Sequence, residues 1–151
     1  MRLLREECRT KVCSTPPRYD GRLLQEGLGG CPWRIIVASV LLCRARRAQA
    51  EPALRELFRR WPNPASLCRA DADEVAEVVR PCGLHRNRAR TLMRMSTLWF
   101  SDAWSDVRDL PGVGIYVADA VGVFCFDSEE VLSGDRALLA YVHARQAALH
   151  D

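Results

Sequence analysis

Apolar residues recur along this chain at intervals of three and four and almost nowhere alternate one by one, a pattern that predicts helices and no sheet. The densest run, Trp33, Ile35, Ile36, Val37, Val40, Leu41 and Leu42, opens on Pro32, which suits the first turn of a helix. A helix apolar on so many sides has to be buried nearly all round. It leads into Arg44-Ala45-Arg46-Arg47, so a core rod delivers cations to a surface. Before it, a short helix is predicted over Tyr19–Leu28, stopped by Gly29-Gly30. After it, an amphipathic helix from about Glu51 to Trp61 sets Leu54, Leu57 and Phe58 on one face, and Pro62 and Pro64 stop it. Asp71 with Glu74 has the form of a capping box for a helix through Val75, Val78 and Val79, which Gly83 is placed to end. His85 to Phe100 repeats the helical period. The fold class is all-α.

Residues 1–18 read as a polar leader, broken by Thr15-Pro16-Pro17, and residues 19–151 as the folded part. A chain of 151 residues suffices for one compact domain or for two small helical lobes sharing a cleft. The net charge of +3 is modest, but Lys11 is the single lysine among 22 basic residues. Arginine forks suit phosphate oxygens and stack on bases; a GC-rich genome would produce the same bias, so composition does not decide. Seven cysteines, odd in number and irregularly spaced, with no apolar signal segment before them, predict reduced thiols and an intracellular location. Cys82-Gly-Leu-His85 offers half a zinc site with no matching second pair, so no metal site is expected.

The most informative stretch is Leu110-Pro111-Gly112-Val113-Gly114-Ile115-Tyr116, followed by the helical run Val117 to Phe124. Two glycines around one apolar residue let the backbone turn tightly enough to aim successive N–H groups at a phosphate at the start of the next helix. This stretch resembles the hairpin of helix-hairpin-helix DNA glycosylases, the endonuclease III or HhH-GPD superfamily. Leu24-Gln25-Glu26, Pro32-Trp33, Leu42-Cys43-Arg44 and Gly83-Leu84-His85-Arg86-Asn87-Arg88-Ala89 precede it in the order of landmarks found in the thymine/uracil mismatch glycosylase domain of the methyl-CpG-binding type.

That resemblance implies a two-lobed helical bundle with its active site in the interlobe cleft. It implies a double-stranded DNA partner carrying a mismatched or damaged base, no membrane, and action as a monomer. Pro111, Gly112, Val113 and Gly114 would bind the DNA backbone, with a monovalent cation allowed against the hairpin carbonyls. Arg44 and Leu84 would fill the gap that an extruded nucleotide leaves. Gln25 and Tyr116 would line the base pocket, and Tyr116 would also join Asp135 as a catalytic residue. Tyr116 stands where bifunctional relatives hold a lysine nucleophile, and Lys11 lies far upstream, so the chemistry implied is hydrolytic. Some relatives carry an iron-sulfur cluster on four cysteines after the catalytic region; no cysteine follows Cys125, so no cluster is expected.

Cleavage of the N-glycosidic bond passes through a cation-like sugar, which a nearby carboxylate stabilises. Asp135, 19 residues past Tyr116, matches the family's position for that aspartate and opens the helical run Ala137 to Val142, where a helix N-terminus favours negative charge. Its plain alternative is an N-cap, and Asp127, Glu129 and Glu130 are rivals in the preceding loop. Leu132-Ser133-Gly134-Asp135-Arg136 departs from the Val-Asp-Thr or Val-Asp-His of many relatives. Asp119, one turn beyond Tyr116, is either a supporting partner of the site or a solubility residue. The expected function is a monofunctional glycosylase for uracil or thymine mispaired with guanine. The alternatives are another modified base, such as 5-hydroxymethyluracil or mispaired adenine, and a non-catalytic DNA-binding module.

Overall fold

Every residue of helix α2 (Pro32–Leu42) except Leu42 is buried in the computed structural model, which describes residues 2–12 and 14–150. The predicted rod is therefore the axis of the molecule. On one side it packs against α3 (Arg47–Arg60) and α6 (His85–Leu98), which form a lobe with α4 (Pro64–Cys68) and α5 (Ala72–Val79). On the other it packs against α1 (Arg5–Thr10) and α7 (Ile115–Phe126), with α8 (Arg136–His150) seated on α7. Among the described residues there is no strand, only an isolated bridge between Leu4 and Asp106. The fold is all-α, as the periodicity predicts.

Helices α6 and α7 fall within two residues of their expected ends. Tyr19–Leu28 does not form the expected helix. Only Leu24–Leu28 is helical, as a single 3-10 segment, because the carbonyls that a longer helix would use are taken. The Arg47 guanidinium holds those of Tyr19, Gly21 and Arg22 at 2.7, 2.7 and 3.0 Å, and the Glu26 carboxylate reaches back to the Leu23 N–H. Helix α3 begins a turn earlier than Glu51, since the Gln49 side chain accepts the Arg46 N–H at 2.9 Å. Pro52 then sits inside the helix, where the Ala48 carbonyl alone loses a donor. Between the two prolines that stop α3, Asn63 caps the short helix α4, which the apolar pattern does not reveal. Asp71 caps α5 by accepting from the N–H groups of Asp73 and Glu74, but among the described residues Glu74 does not reach back to complete the expected box, and α5 ends at Val79, a 3-10 turn (Arg80–Cys82) leading on to Gly83.

The leader holds more order than its charges suggest. Leu3 is 3% and Cys8 0% exposed, and the backbone pairs with residues 105–107 through Arg5 N–H to the Ser105 carbonyl and Val107 N–H to the Leu3 carbonyl, both 2.9 Å. Asp106 accepts the Leu3 N–H as well, at 3.1 Å. Two buried residues separated by charges give no periodicity, so this docking is invisible locally.

The thiol expectation holds for Cys8, Cys43, Cys68, Cys82 and Cys125, which are free. It fails at Cys31, which is disulfide-bonded; spacing along the chain does not report distance in space. Cys13 lies outside the described residues. No helix among the described residues is long and apolar enough to cross a membrane.

Candidate active-site cleft and hairpin

Where the two sides of the molecule meet, beside the C-terminal end of α2, a cleft of about 250 Å³ opens. Its lining includes Gln25, Leu42, Arg47, Tyr116, Asp135 and Leu138, so three residues singled out from the sequence, Gln25, Tyr116 and Asp135, share one cavity.

Gln25 is 3% exposed on the 3-10 segment. Its Nε2 donates to the Tyr116 hydroxyl at 3.0 Å and to Ser39 Oγ at 3.5 Å, and Oε1 meets no donor among the described residues. Burial pushes the Tyr116 phenol up to about 12, the negative charge of Asp135 adds to this, and the Gln25 hydrogen bond opposes it. At neutral pH Tyr116 is thus a neutral group that accepts from Gln25 and still has a proton to donate.

Asp135 caps α8, its Oδ2 accepting the Leu138 N–H at 3.2 Å. The second carboxylate oxygen meets no donor among the described residues, so capping and a role toward a ligand are compatible in one side chain. The loop before it is fastened from α7. Asp119, 7% exposed, accepts the Leu132 N–H on Oδ1 at 3.1 Å and the Ser133 N–H on Oδ2 at 2.8 Å, and Ser133 Oγ accepts the Asp135 N–H at 3.2 Å. Asp119 is therefore a buried fastener of the loop that carries Asp135 rather than a surface charge. The rivals stand elsewhere: Asp127 ends α7 beside Arg145, and Glu130 lines a separate cavity of about 50 Å³. Neither they nor Glu129 line the cleft. Arg22 and Arg47 do, and sequence reasoning gave neither of them a role there; Arg47 was visible only as one member of a basic cluster, and nothing local marks Arg22.

The hairpin follows a single 3-10 turn, Val107–Asp109. Leu110 and Val113 are buried and anchor it. Gly112 has φ +80°, and a Cβ there would stand 2.6 Å from Thr91 Cγ2 on α6, so glycine is needed on two counts. Gly114 instead has extended backbone with nothing within 4 Å, leaving an open approach. Among the described residues, the N–H groups of Gly112, Gly114, Ile115, Tyr116 and Val117 meet no acceptor, and the helix dipole adds positive potential to them. The carbonyls of Pro111, Gly112 and Val113 are likewise unpaired, which suits a monovalent cation.

Arg44 and Leu84 do not lie in the cleft. Arg44 is exposed just past the end of α2, and Leu84 is 61% exposed at the start of α6. Both have left-handed backbone, φ 63° and 48°, a conformation that costs a side-chain-bearing residue roughly 1–2 kcal/mol. Among the described residues Asp127 is the only other non-glycine with positive φ. Cys82 is buried with its Sγ 3.8 Å from the Gln49 carbonyl, and no group of three or more potential metal ligands is present among the described residues.

The family model for the HhH-GPD superfamily of base excision DNA repair proteins matches residues 37–134, ending one residue before Asp135. A methyl-CpG-binding domain protein 4-like protein of Arabidopsis thaliana is 33% identical over 110 residues, 73% of this chain and 25% of that protein. A thymine-DNA glycosylase of Aeropyrum pernix is 34% identical over 108 residues, 67% of this chain and 48% of that protein. The chain thus spans between a quarter and about half of the length of these curated relatives. Among solved structures, a non-covalent endonuclease III–DNA complex superposes with a TM-score of 0.62 at 23% identity, covering 71% of this chain and 53% of that one. A thermostable thymine-DNA glycosylase gives 0.59 at 23%, covering 65% and 48%. With the family model matching well over half of the chain and a relative 33% identical across 73% of it, the chain belongs to the HhH-GPD superfamily of base excision DNA repair proteins.

Proposed function

We propose that this chain is a monofunctional DNA glycosylase that extrudes a uracil or thymine mispaired with guanine and hydrolyses its N-glycosidic bond. One observation carries the reading: the Asp135 carboxylate, the Gln25 amide and the neutral Tyr116 phenol open into the same cleft, beside a turn whose backbone donors are unpaired.

Extrusion costs a few kcal/mol, least at a mispair. The free N–H groups of the hairpin grip a phosphate, while Arg44 and Leu84 fill the vacated stack. In the cleft, Gln25 Oε1 accepts from the N3–H of the pyrimidine and the Tyr116 hydroxyl donates to a base or sugar oxygen. The Asp135 carboxylate stabilises the positive charge that develops at the sugar and orients or deprotonates the attacking water. The carbonyls of Pro111, Gly112 and Val113 are those that would hold a monovalent cation, which would add positive charge next to the gripped phosphate. Lys11 cannot act as an amine nucleophile here. Its Nζ stands 4.9 Å over the ring of Phe126, at the end of α7 remote from Tyr116, about 15 Å along the helix axis. The product is therefore an abasic site. The protein acts inside the cell, on DNA, as a monomer.

Likeness to the thymine-DNA glycosylase of Aeropyrum pernix and to a thymine/uracil-DNA glycosylase of Pyrobaculum aerophilum, 35% identical over 99 residues, supports thymine or uracil as the base. An adenine DNA glycosylase of Mycobacterium tuberculosis, 31% identical over 105 residues, makes mispaired adenine the alternative to include in the test. Duplexes with one G:T, G:U, G:5-hydroxymethyluracil, A:U or A:8-oxoguanine pair are incubated with the protein, then treated with alkali or left untreated. Strand cleavage at G:T and G:U only after alkali is the expected result. Cleavage without alkali contradicts hydrolysis, and binding without cleavage on any duplex identifies a DNA-binding module.

A further inference from the structure

Arg88 lies on the inner face of α6, 8% exposed, and no carboxylate is paired with it among the described residues. Its guanidinium is spent on backbone carbonyls. Nε donates to the Gly83 carbonyl at 2.9 Å, Nη1 to the Val40 carbonyl and Nη2 to the Cys43 carbonyl. Two of these carbonyls end α2, where a cation is favoured by the helix dipole and replaces the donors the helix no longer has. The third opens the turn into α6.

The placement of the three carbonyls is specific. Cys43 immediately precedes Arg44 and Gly83 immediately precedes Leu84, two of the three exposed non-glycine residues with left-handed backbone among the described residues. The backbone N–H of Arg88 also donates to the Leu84 carbonyl, at 2.9 Å, so Leu84 is held from both sides by one residue. Strained backbone persists only where its surroundings over-determine it. Here the over-determining group is a planar, buried fork that spans two elements from different parts of the chain.

We propose that Arg88 is a positioning residue that locks Arg44 and Leu84 into a single two-pronged wedge, so that the two enter the duplex together rather than as independent contacts. This rests on the reading of Arg44 and Leu84 as the residues that fill the vacated stack. A lysine cannot replace the fork, because its three donors radiate from one atom and cannot reach carbonyls on α2 and on the α6 turn together.

The test compares excision of uracil from a G:U duplex with excision from a small unpaired bubble, where no stack needs filling. Arg44→Ala and Leu84→Ala should each slow excision from the duplex about tenfold and leave the bubble within about twofold, a tenfold change corresponding to about 1.4 kcal/mol. If neither single variant affects the duplex, the wedge reading falls and the lock with it. If they do, the lock predicts that the double variant loses far less than the product of the two single losses, because either loss already disables the shared wedge. Multiplicative losses overturn the lock while sparing the wedge, and this comparison needs no change at Arg88. Arg88→Lys, which keeps the buried charge, and Arg88→Met should then both lose the duplex preference selectively. Equal losses on duplex and bubble, or none, overturn the proposal.

Discussion

At the scale of single residues, Asp135 shows how one side chain serves two ends. One oxygen caps α8 and the other faces the cleft, so Asp135→Asn retains a capping oxygen while removing the charge. Excision is expected to fall about a hundred- to a thousandfold, the usual cost of removing a group that stabilises developing charge. Affinity for a mismatched duplex should be unchanged, measured by fluorescence anisotropy beside single-turnover kinetics. Retained turnover would remove Asp135 from the chemistry. The aspartate was readable in the sequence because it both opened a helical run and matched a family spacing. Asp119 was readable only as one of two alternatives and Arg88 not as a partner at all, since what they hold, the backbone of residues 132–133 and the carbonyls of Val40, Cys43 and Gly83, lies far away in sequence or in a turn without a pattern.

At the scale of elements, the hairpin depends on a glycine whose need has two separable parts. Gly112→Ala brings a left-handed alanine, costing roughly 1–2 kcal/mol, and a contact with Thr91 Cγ2. Thermal melts should show the variant destabilised, and Thr91→Ser, which deletes that methyl, should restore part of the loss. No rescue would mean that the backbone conformation alone demands glycine. The loop from α7 to α8 makes a similar case. Asp119→Asn keeps the shape but sets an amide NH₂ against one of two backbone N–H groups. A charge-assisted bond of this kind is worth about 1.5–3 kcal/mol, so kcat should drop roughly ten- to a hundredfold with KM little changed. Equal changes in both constants would assign Asp119 to binding. Helices α2, α6 and α7 were legible because their apolar positions repeat over three turns or more. The 3-10 segment at Gln25 and the docked α1 were not, because a guanidinium from α3 and a loop near residue 106 shape them.

For the whole molecule, buried groups that keep their protons set an upper pH limit. Burial raises the Cys8 thiol from 9.0 to about 12, with Asp106 and Glu7 adding to it, and raises Tyr116 from 10.0 to about 12. Burial raises Cys125 as well, assisted by the neighbouring Cys8. The folded state holds these protons more tightly than the unfolded chain does. Their contribution is complete below about pH 9 and is lost as pH climbs toward 12, each group adding up to about 1.4 kcal/mol per pH unit. Urea midpoints from pH 7 to 11 should fall in that window, and Cys8→Ala should flatten the decline; an unchanged slope would refute the assignment.

An axis enclosed on all sides by its neighbours also dictates where the molecule can yield. With α2 packed against both halves, swinging the lobes apart would strip its buried surface, so the proposed entry of a nucleotide is expected to move two side-chain latches instead. One is the wall of residues 19–23, closed by the Arg47 fork; the other is the stretch before Asp135, closed by the Asp119 carboxylate. Hydrogen exchange on adding a mismatched duplex should therefore change at residues 19–23 and 128–135 and leave the amides of α2 as slow as before.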